Sequence, residues 1–271
     1  MGDKGLNWPQ IGLGTGPLNG DAGVAKLTQA IRDGYRLLDT AALYGNEREV
    51  GEAVRASGVP RDEIIVLTKV WVDKLAADDL RRSAEESLRR LGMDSVDLFI
   101  LHWPNPLIPM DETIEALNKV QADGLARQIG VSNFTTGMMA EARQLSIAPL
   151  VANEIEYHPY LNQDKLLAAC KASGMAAIAH CPLGRVGQLF AEAVVTEAAA
   201  RHGKSPAQVV LRWHIQQNVI PIPGSTSPAR LKENLDVFDF TLDAVEMAAI
   251  SALEARHYRI CTPPVPFEFD A

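Results

Sequence analysis

The segment Ile64 to His102, IIVLTKVWVDKLAADDLRRSAEESLRRLGMDSVDLFILH, contains two short apolar runs separated by a helical pattern. Ile64 to Lys69 and Val96 to His102 are rich in branched side chains and too short for helices, so each reads as a buried strand. Between them, from Ala77 to Leu91, Leu80, Ala84, Leu88 and Leu91 recur at three- and four-residue steps. Arg81, Arg82, Glu85 and Glu86 face outward, which predicts an amphipathic helix. Gly92 is placed to end it. Strands joined through a helical crossover run parallel, so this segment is one βαβ unit.

The same alternation extends in both directions. Tyr35 to Thr40 precedes it, and Arg127 to Val131, Leu150 to Ile155, Ala176 to Cys181, Val219 to Pro223 and a weaker Val237 to Phe240 follow, making eight strand candidates. Asp111-Glu112-Thr113-Ile114 opens a further helix that Gly124 ends, and the pattern from Ser205 to Gln217 directly follows one around Glu192 to His202. With no linker or low-complexity segment across residues 1–271, the chain is expected to form one domain. Its fold is expected to be a (β/α)8 TIM barrel rather than an open doubly wound sheet. The glycine-rich Gly12 to Pro17 is expected as a tight loop or small hairpin closing the barrel floor. Ala255 to Ala271, rich in proline and phenylalanine, reads as a disordered tail or as a flap over the active-site mouth, and the flap is the expectation taken forward.

Composition excludes several classes of function. Net charge is −8 with no dense Lys/Arg cluster, which disfavours nucleic acid. No apolar stretch is long enough to span a bilayer, and Met1 to Leu6 lacks a signal-peptide core, so the expectation is a cytoplasmic protein that does not enter membranes. Cys170, Cys181 and Cys261 are an odd set with no Cys-x-x-Cys spacing, so they are expected to be reduced packing residues, with no disulfide framework and no metal site.

Asp39, Tyr44, Lys69 and His102 each stand at or just past the end of an apolar run. In a parallel barrel such ends meet around one pocket, and an acid, a phenol, an amine and an imidazole together suit proton transfer. Taken singly, each has a structural reading as a helix cap, loop anchor or satisfied polar residue. For a nucleotide, Gly12-Leu13-Gly14-Thr15-Gly16-Pro17 fails the dinucleotide fingerprint, because Pro17 stands where glycine is needed. A better anion signal is the Gly224-Ser225-Thr226-Ser227 loop with Pro228 opening a helix and Arg230 able to clamp a phosphate, although a well-capped helix reads the same way.

The segments Gly34-Tyr35-Arg36-Leu37-Leu38-Asp39-Thr40-Ala41, Tyr44-Gly45-Asn46-Glu47, Leu67-Thr68-Lys69-Val70-Trp71, His102-Trp103-Pro104, Ile129-Gly130-Val131-Ser132-Asn133-Phe134 and Glu156-Tyr157-His158-Pro159-Tyr160 resemble aldo-keto reductases. The similarity is colinear from about residue 10 onward and is nearest to the bacterial branch of 2,5-diketo-D-gluconic acid reductases. It implies hydride transfer from NADPH, with NADH tolerated, to a small-molecule carbonyl substrate such as an aldehyde, dicarbonyl or keto-sugar, by a monomeric protein. Asp39, Tyr44, Lys69 and His102 would form the catalytic set. Tyr44 would donate the proton, with the Lys69 ammonium lowering its pKa and Asp39 holding the amine. Gly16, Trp71 and Trp103 would bound the substrate. Ser132, Asn133, Glu154 and His180 would hold the nicotinamide, Leu183 and Gly184 the pyrophosphate, and Ser225, Arg230, Glu233 and Asn234 the adenosine phosphate.

Four residues depart from the family pattern: Glu154 stands for a usual Gln, His180 for a stacking Tyr, Gly224 for a phosphate-binding Lys, and Gly16 for a bulky aromatic. Two rival readings stand beside the reductase. One is a nucleotide-binding regulatory protein on the same barrel, and the other is an aldolase using Lys69 as a Schiff-base former.

Overall fold

In the computed structural model, which describes residues 6–185 and 187–270, the chain closes into a barrel. Eight strands pair in parallel and in sequence order. They are β1 (Leu13–Gly14), β2 (Leu37–Asp39), β3 (Ile65–Val70), β4 (Val96–Leu101), β5 (Ala126–Ser132), β6 (Leu150–Glu156), β7 (Ala176–His180) and β8 (Val219–Pro221). The Gly12 and Gly14 amides donate to the main-chain oxygens of Pro221 and Pro223 at 3.0 and 3.2 Å, which brings the last strand back to the first.

Helices α1 (Gly20–Asp33), α2 (Glu47–Ser57), α3 (Ala77–Leu91), α4 (Met110–Ala122), α5 (Thr136–Leu145) and α6 (Asp164–Ser173) follow β1 to β6 in turn. Two, α7 (Ala193–His202) and α8 (Pro206–Gln216), follow β7; α9 (Pro228–Leu235) and α10 (Ala244–Ser251) follow β8. The α3 bounds coincide with the pattern read from sequence, and the helix buries Leu80, Ala84, Leu88 and Leu91. Gly51 of α2 faces the end of α3 so closely that a Cβ there would lie 1.8 Å from the Leu91 oxygen, so only glycine fits. Ser205 caps α8 through a reciprocal pair with Gln208, which starts this second helix immediately after α7.

One strand lies elsewhere than expected. Val237 to Phe240 is a loop, and the remaining strand is β1, inside the stretch read as a turn or hairpin at the floor. The physical reason is crowding. A Cβ on Gly12 would lie 2.8 Å from Leu37, and one on Gly14 would lie 2.8 Å from the Ile222 oxygen, so this strand has no room for apolar side chains at those positions. Its far end opens on the pocket, while Leu6 and Trp8 pack against the interior cluster. Met1 to Gly5, on which the reading of the N-terminus partly rested, lie outside the described residues.

Strand alternation carries the interior to the site. Leu37, Ile65, Leu67, Leu98, Ile100, Ala152 and Ile178 form the apolar cluster inside the barrel. Two residues further along their strands stand Asp39, Lys69, His102, Glu154 and His180, on the same inward face. The register places Lys69 beside Ile100 and Glu156 beside His180.

The C-terminal residues form a strap. Tyr258 donates to the Tyr160 oxygen at 2.9 Å, and the amides of Ile260 and Cys261 donate to Glu156 at 2.6 and 2.8 Å. Phe267 packs on Trp103 with ring centroids 6.2 Å apart, and Asp270 accepts twice from Thr136, each at 2.8 Å. Burial pushes the Glu156 carboxyl up, but the His158 imidazole and the two strap amides outweigh it and hold it down at about 2. A folded-state pKa depressed in this way supplies stability above the ordinary 4.5 that is lost as pH falls toward 2. Glu156→Gln turns one acceptor into a donor facing an N–H. It is expected to cost about 1–3 kcal/mol locally and to release the strap. Faster amide exchange at Ile260 and Cys261 near neutral pH checks this, and unchanged protection contradicts it.

Candidate active site

Tyr44 is placed by a short turn rather than by a strand. Ala42–Tyr44 form one 3-10 turn, stopped by Gly45 in left-handed backbone (φ 67°). The next residue, Asn46, is fully buried; its amide donates to the oxygens of Thr15 and Leu18 at 2.8 and 3.1 Å, and it accepts from Thr40 at 2.8 Å. One side chain therefore ties the segment after β1 to the segment after β2, and holds Tyr44 over the mouth.

Beneath Tyr44, Lys69 is fully buried and ion-paired with Asp39, and its Nζ lies 3.3 Å from Glu154 and 3.5 Å from the Tyr44 hydroxyl. Burial works against the ammonium, but the Asp39 and Glu154 carboxylates outweigh it and hold the Lys69 pKa above its ordinary value. A Schiff base needs the neutral amine's lone pair, which this ion pairing disfavours. One cation cannot fully compensate two buried carboxylates, and burial together with Asp39 lifts Glu154 to about 7. The Tyr44 phenol is also raised: burial pushes it up and outweighs the lowering by Lys69. Lys69 thus acts on the phenol in the direction expected from the sequence, and burial is the larger effect.

His102 packs edge-on against Tyr44 and Trp71, with centroids 5.7 and 5.1 Å away. Burial, then Lys69 and His180, lower its pKa to about 2, so the imidazole is neutral. Its Nδ1 and the Glu154 Oε2 are buried with no hydrogen-bond partner among the described residues. Asn133, in left-handed backbone (φ 61°), donates to the His102 oxygen at 3.0 Å and to Ser132 Oγ at 2.9 Å, and His180 Nε2 lies 2.9 Å from its Oδ1.

These residues surround a cavity of about 840 Å³. Gly16, Asp39, Tyr44, His102, Trp103, Asn133, Glu154, His180 and Leu183 line it. Lys69 and Ser132 lie behind that wall, fully buried, and Trp71 stands behind His102. A Cβ on Gly16 would be only 3.9 Å from the Tyr44 ring, ordinary contact with room beyond. Gly184, Ser225, Arg230, Glu233 and Asn234 are not on the cavity wall. Arg230 is exposed near the start of α9, Ser225 accepts from the Ser227 amide at 3.1 Å, and Glu233 accepts from Ser205, the cap of α8.

Sequence reasoning missed other wall residues. Arg185 and Phe190 come from the loop after β7, and Pro17 and Pro223 from segments beside β1 and β8. Cys181 and Cys261 also line the cavity, so only the buried Cys170 is the packing residue expected. No spacing in the sequence signals that pair, because the strap alone brings Cys261 to β7.

Residues 9–255 match the model of the aldo/keto reductase family. The chain is 44% identical over 254 residues to 2,5-diketo-D-gluconic acid reductase B of a Corynebacterium species, covering 93% of this chain and 91% of that protein. It is 41% identical over 252 residues to glyoxal reductase of Bacillus subtilis, covering 92% and 90%. A crystal structure of a Bombyx mori aldo-keto reductase in complex with NADP superimposes with a TM-score of 0.87 at 34% identity, covering 94% of this chain and 92% of that one.

Proposed function

This chain belongs to the aldo/keto reductase family and is an oxidoreductase; from that premise we propose that it is an NADPH-dependent reductase of small aldehydes, dicarbonyls or keto-sugars, with Tyr44 as proton donor. The observation that carries the reading is the stack Tyr44, Lys69, Asp39 beside a neutral His102 whose Nδ1 has no partner among the described residues. A reduced nicotinamide, when bound, supplies the hydride.

The residues fit that group. Two buried orphan atoms, His102 Nδ1 and Glu154 Oε2, have no partner among the described residues and call for one from a bound group. Asn133 and Ser132 would hold the carboxamide, with Glu154 accepting from it and His180 against the ring. Leu183 and Gly184 would lie along the pyrophosphate, and Ser225, Arg230, Glu233 and Asn234 would receive the adenosine phosphate. The glycine in place of a lysine at 224 has a steric reason: a Cβ there would lie 2.8 Å from the Gly14 oxygen, so the close approach of β1 excludes side chains. Arg230 is left to favour the extra phosphate of NADPH, with NADH tolerated.

Neutral His102 would donate to the carbonyl oxygen and turn the carbonyl carbon toward the pocket. As an alkoxide develops, it becomes a far stronger base than phenolate, so Tyr44 gives up its proton even from a raised pKa. The tyrosinate left behind faces the Lys69 ammonium, which Asp39 keeps in place. Trp71 supports His102 from behind, while Gly16 and Trp103 bound the substrate. A cytoplasmic, monomeric, single-domain protein suits this chemistry; among the described residues no helix is long and apolar enough to cross a membrane.

Following nicotinamide absorbance against a carbonyl panel tests the reading. NADPH is expected to be oxidised with dicarbonyls or keto-sugars and to bind more tightly than NADH. Tighter binding of NADH would refute the cofactor assignment, and no turnover across the panel would refute the activity.

A further inference from the structure

Three donor side chains converge on one edge of the cavity, and two of them, Cys181 and Cys261, have no role in the chemistry above. His180 ends β7, Cys181 follows it in left-handed backbone (φ 51°), and Cys261 arrives on the strap held by Glu156. The two sulfurs are 3.8 Å apart, and with a ring nitrogen of His180 the three donor atoms lie within 4.8 Å of one another. A disulfide needs its sulfurs about 2.05 Å apart. Two thiolates on one tetrahedral zinc ion, each about 2.3 Å from the metal, stand about 3.8 Å apart.

The imidazole is prepared by its neighbour. Asn133 Nδ2 donates to the His102 main-chain oxygen, which can only accept, so Asn133 Oδ1 is the acceptor facing His180 Nε2. In the neutral ring Nε2 therefore carries the proton and Nδ1 keeps its lone pair. Metal-bound histidines are commonly oriented in this way, their far nitrogen donating to a carbonyl.

We propose that His180, Cys181 and Cys261 form a three-ligand site for a zinc-class divalent cation, its fourth position open to the cavity, and that loading it fastens the strap to the end of β7. Thiolate and imidazole donors in this number suit zinc better than calcium or magnesium, which take oxygen ligands. Each thiol releases its proton to solvent as its sulfur binds, so two protons leave per ion.

Titration of the cofactor-free, phosphine-reduced protein with Co²⁺ tests this. A thiolate-to-cobalt charge-transfer band is expected to saturate at one ion per chain and to be displaced by Zn²⁺. Cys181→Ser and Cys261→Ser should each weaken binding by more than about 100-fold, the upper end for losing a mere outer-shell partner. Cys170→Ala, away from the cavity, should change nothing. A missing band, or one that persists in both serine variants, overturns the site. In the unaltered chain Zn²⁺ should also slow alkylation of Cys181 and Cys261, and unslowed alkylation overturns it equally. Competition between Zn²⁺ and NADPH is expected as well, but that arm rests on the nicotinamide lying against His180. Metal binding without competition would sink that placement and leave the metal site standing.

Discussion

Tyr44→Phe is expected to lower kcat by about 10²- to 10⁴-fold, the range that a positioned proton donor contributes, with little change in NADPH affinity. The variant removes one oxygen. The ring keeps its edge-on contact with His102, and the turn stapled by Asn46 does not involve the hydroxyl. No buried donor is orphaned either, because Lys69 retains Asp39 and Glu154 when it loses its 3.5 Å neighbour. Stability should therefore stay near wild type while turnover collapses. Single-turnover kinetics with saturating NADPH separate the effects: a fall confined to the chemical step supports Tyr44 as donor. Unchanged turnover would move the role to His102, whose ring packs edge-on against Tyr44 on the same wall.

How much of this was legible beforehand depends on which physical signal each residue carries. The βα repeat and the helix Ala77 to Leu91 were readable because burial imposes periodicity, and the inward positions of Asp39, Lys69 and His102 follow from alternation along their strands. β1 was not readable as a strand: crowding at Gly12 and Gly14 removes the side chains that would have announced it. Val237 to Phe240 misled for the converse reason. Val237 is buried in a small cluster with Ile11, Leu211 and Ile215, so its apolarity reports packing outside the barrel rather than a ladder. The choice between tail and flap could not be made from proline and phenylalanine content, because what decides it is the Glu156 carboxylate receiving two strap amides from more than a hundred residues away. Glu154 was noticed as a departure from the family pattern, yet its contact with Lys69 depends on how strands β3 and β6 face each other across the barrel.

That contact makes Lys69→Met the most destabilising single change expected at the site. Methionine fills similar volume but leaves Asp39 and Glu154 buried with no cation, and removing one partner of a buried ion pair costs about 3–5 kcal/mol. The loss should depend on pH. Without the ammonium both carboxyls have folded-state pKa values above their unfolded ones, so the folded chain binds more protons and stability falls as pH rises through that window. Urea unfolding at pH 5 and pH 8 is therefore expected to show the larger deficit, relative to wild type, at pH 8. Adding Asp39→Asn and Glu154→Gln to the same chain should recover most of it, because the charges that needed Lys69 are gone. Equal deficits at both pH values would mean that packing, not charge, was lost. Turnover should fall about as far as in Tyr44→Phe, and the double variant should be little worse than either single one, since residues acting as one unit are not additive. Additive losses would separate the amine from the phenol and leave Lys69 a structural ion-pair partner alone.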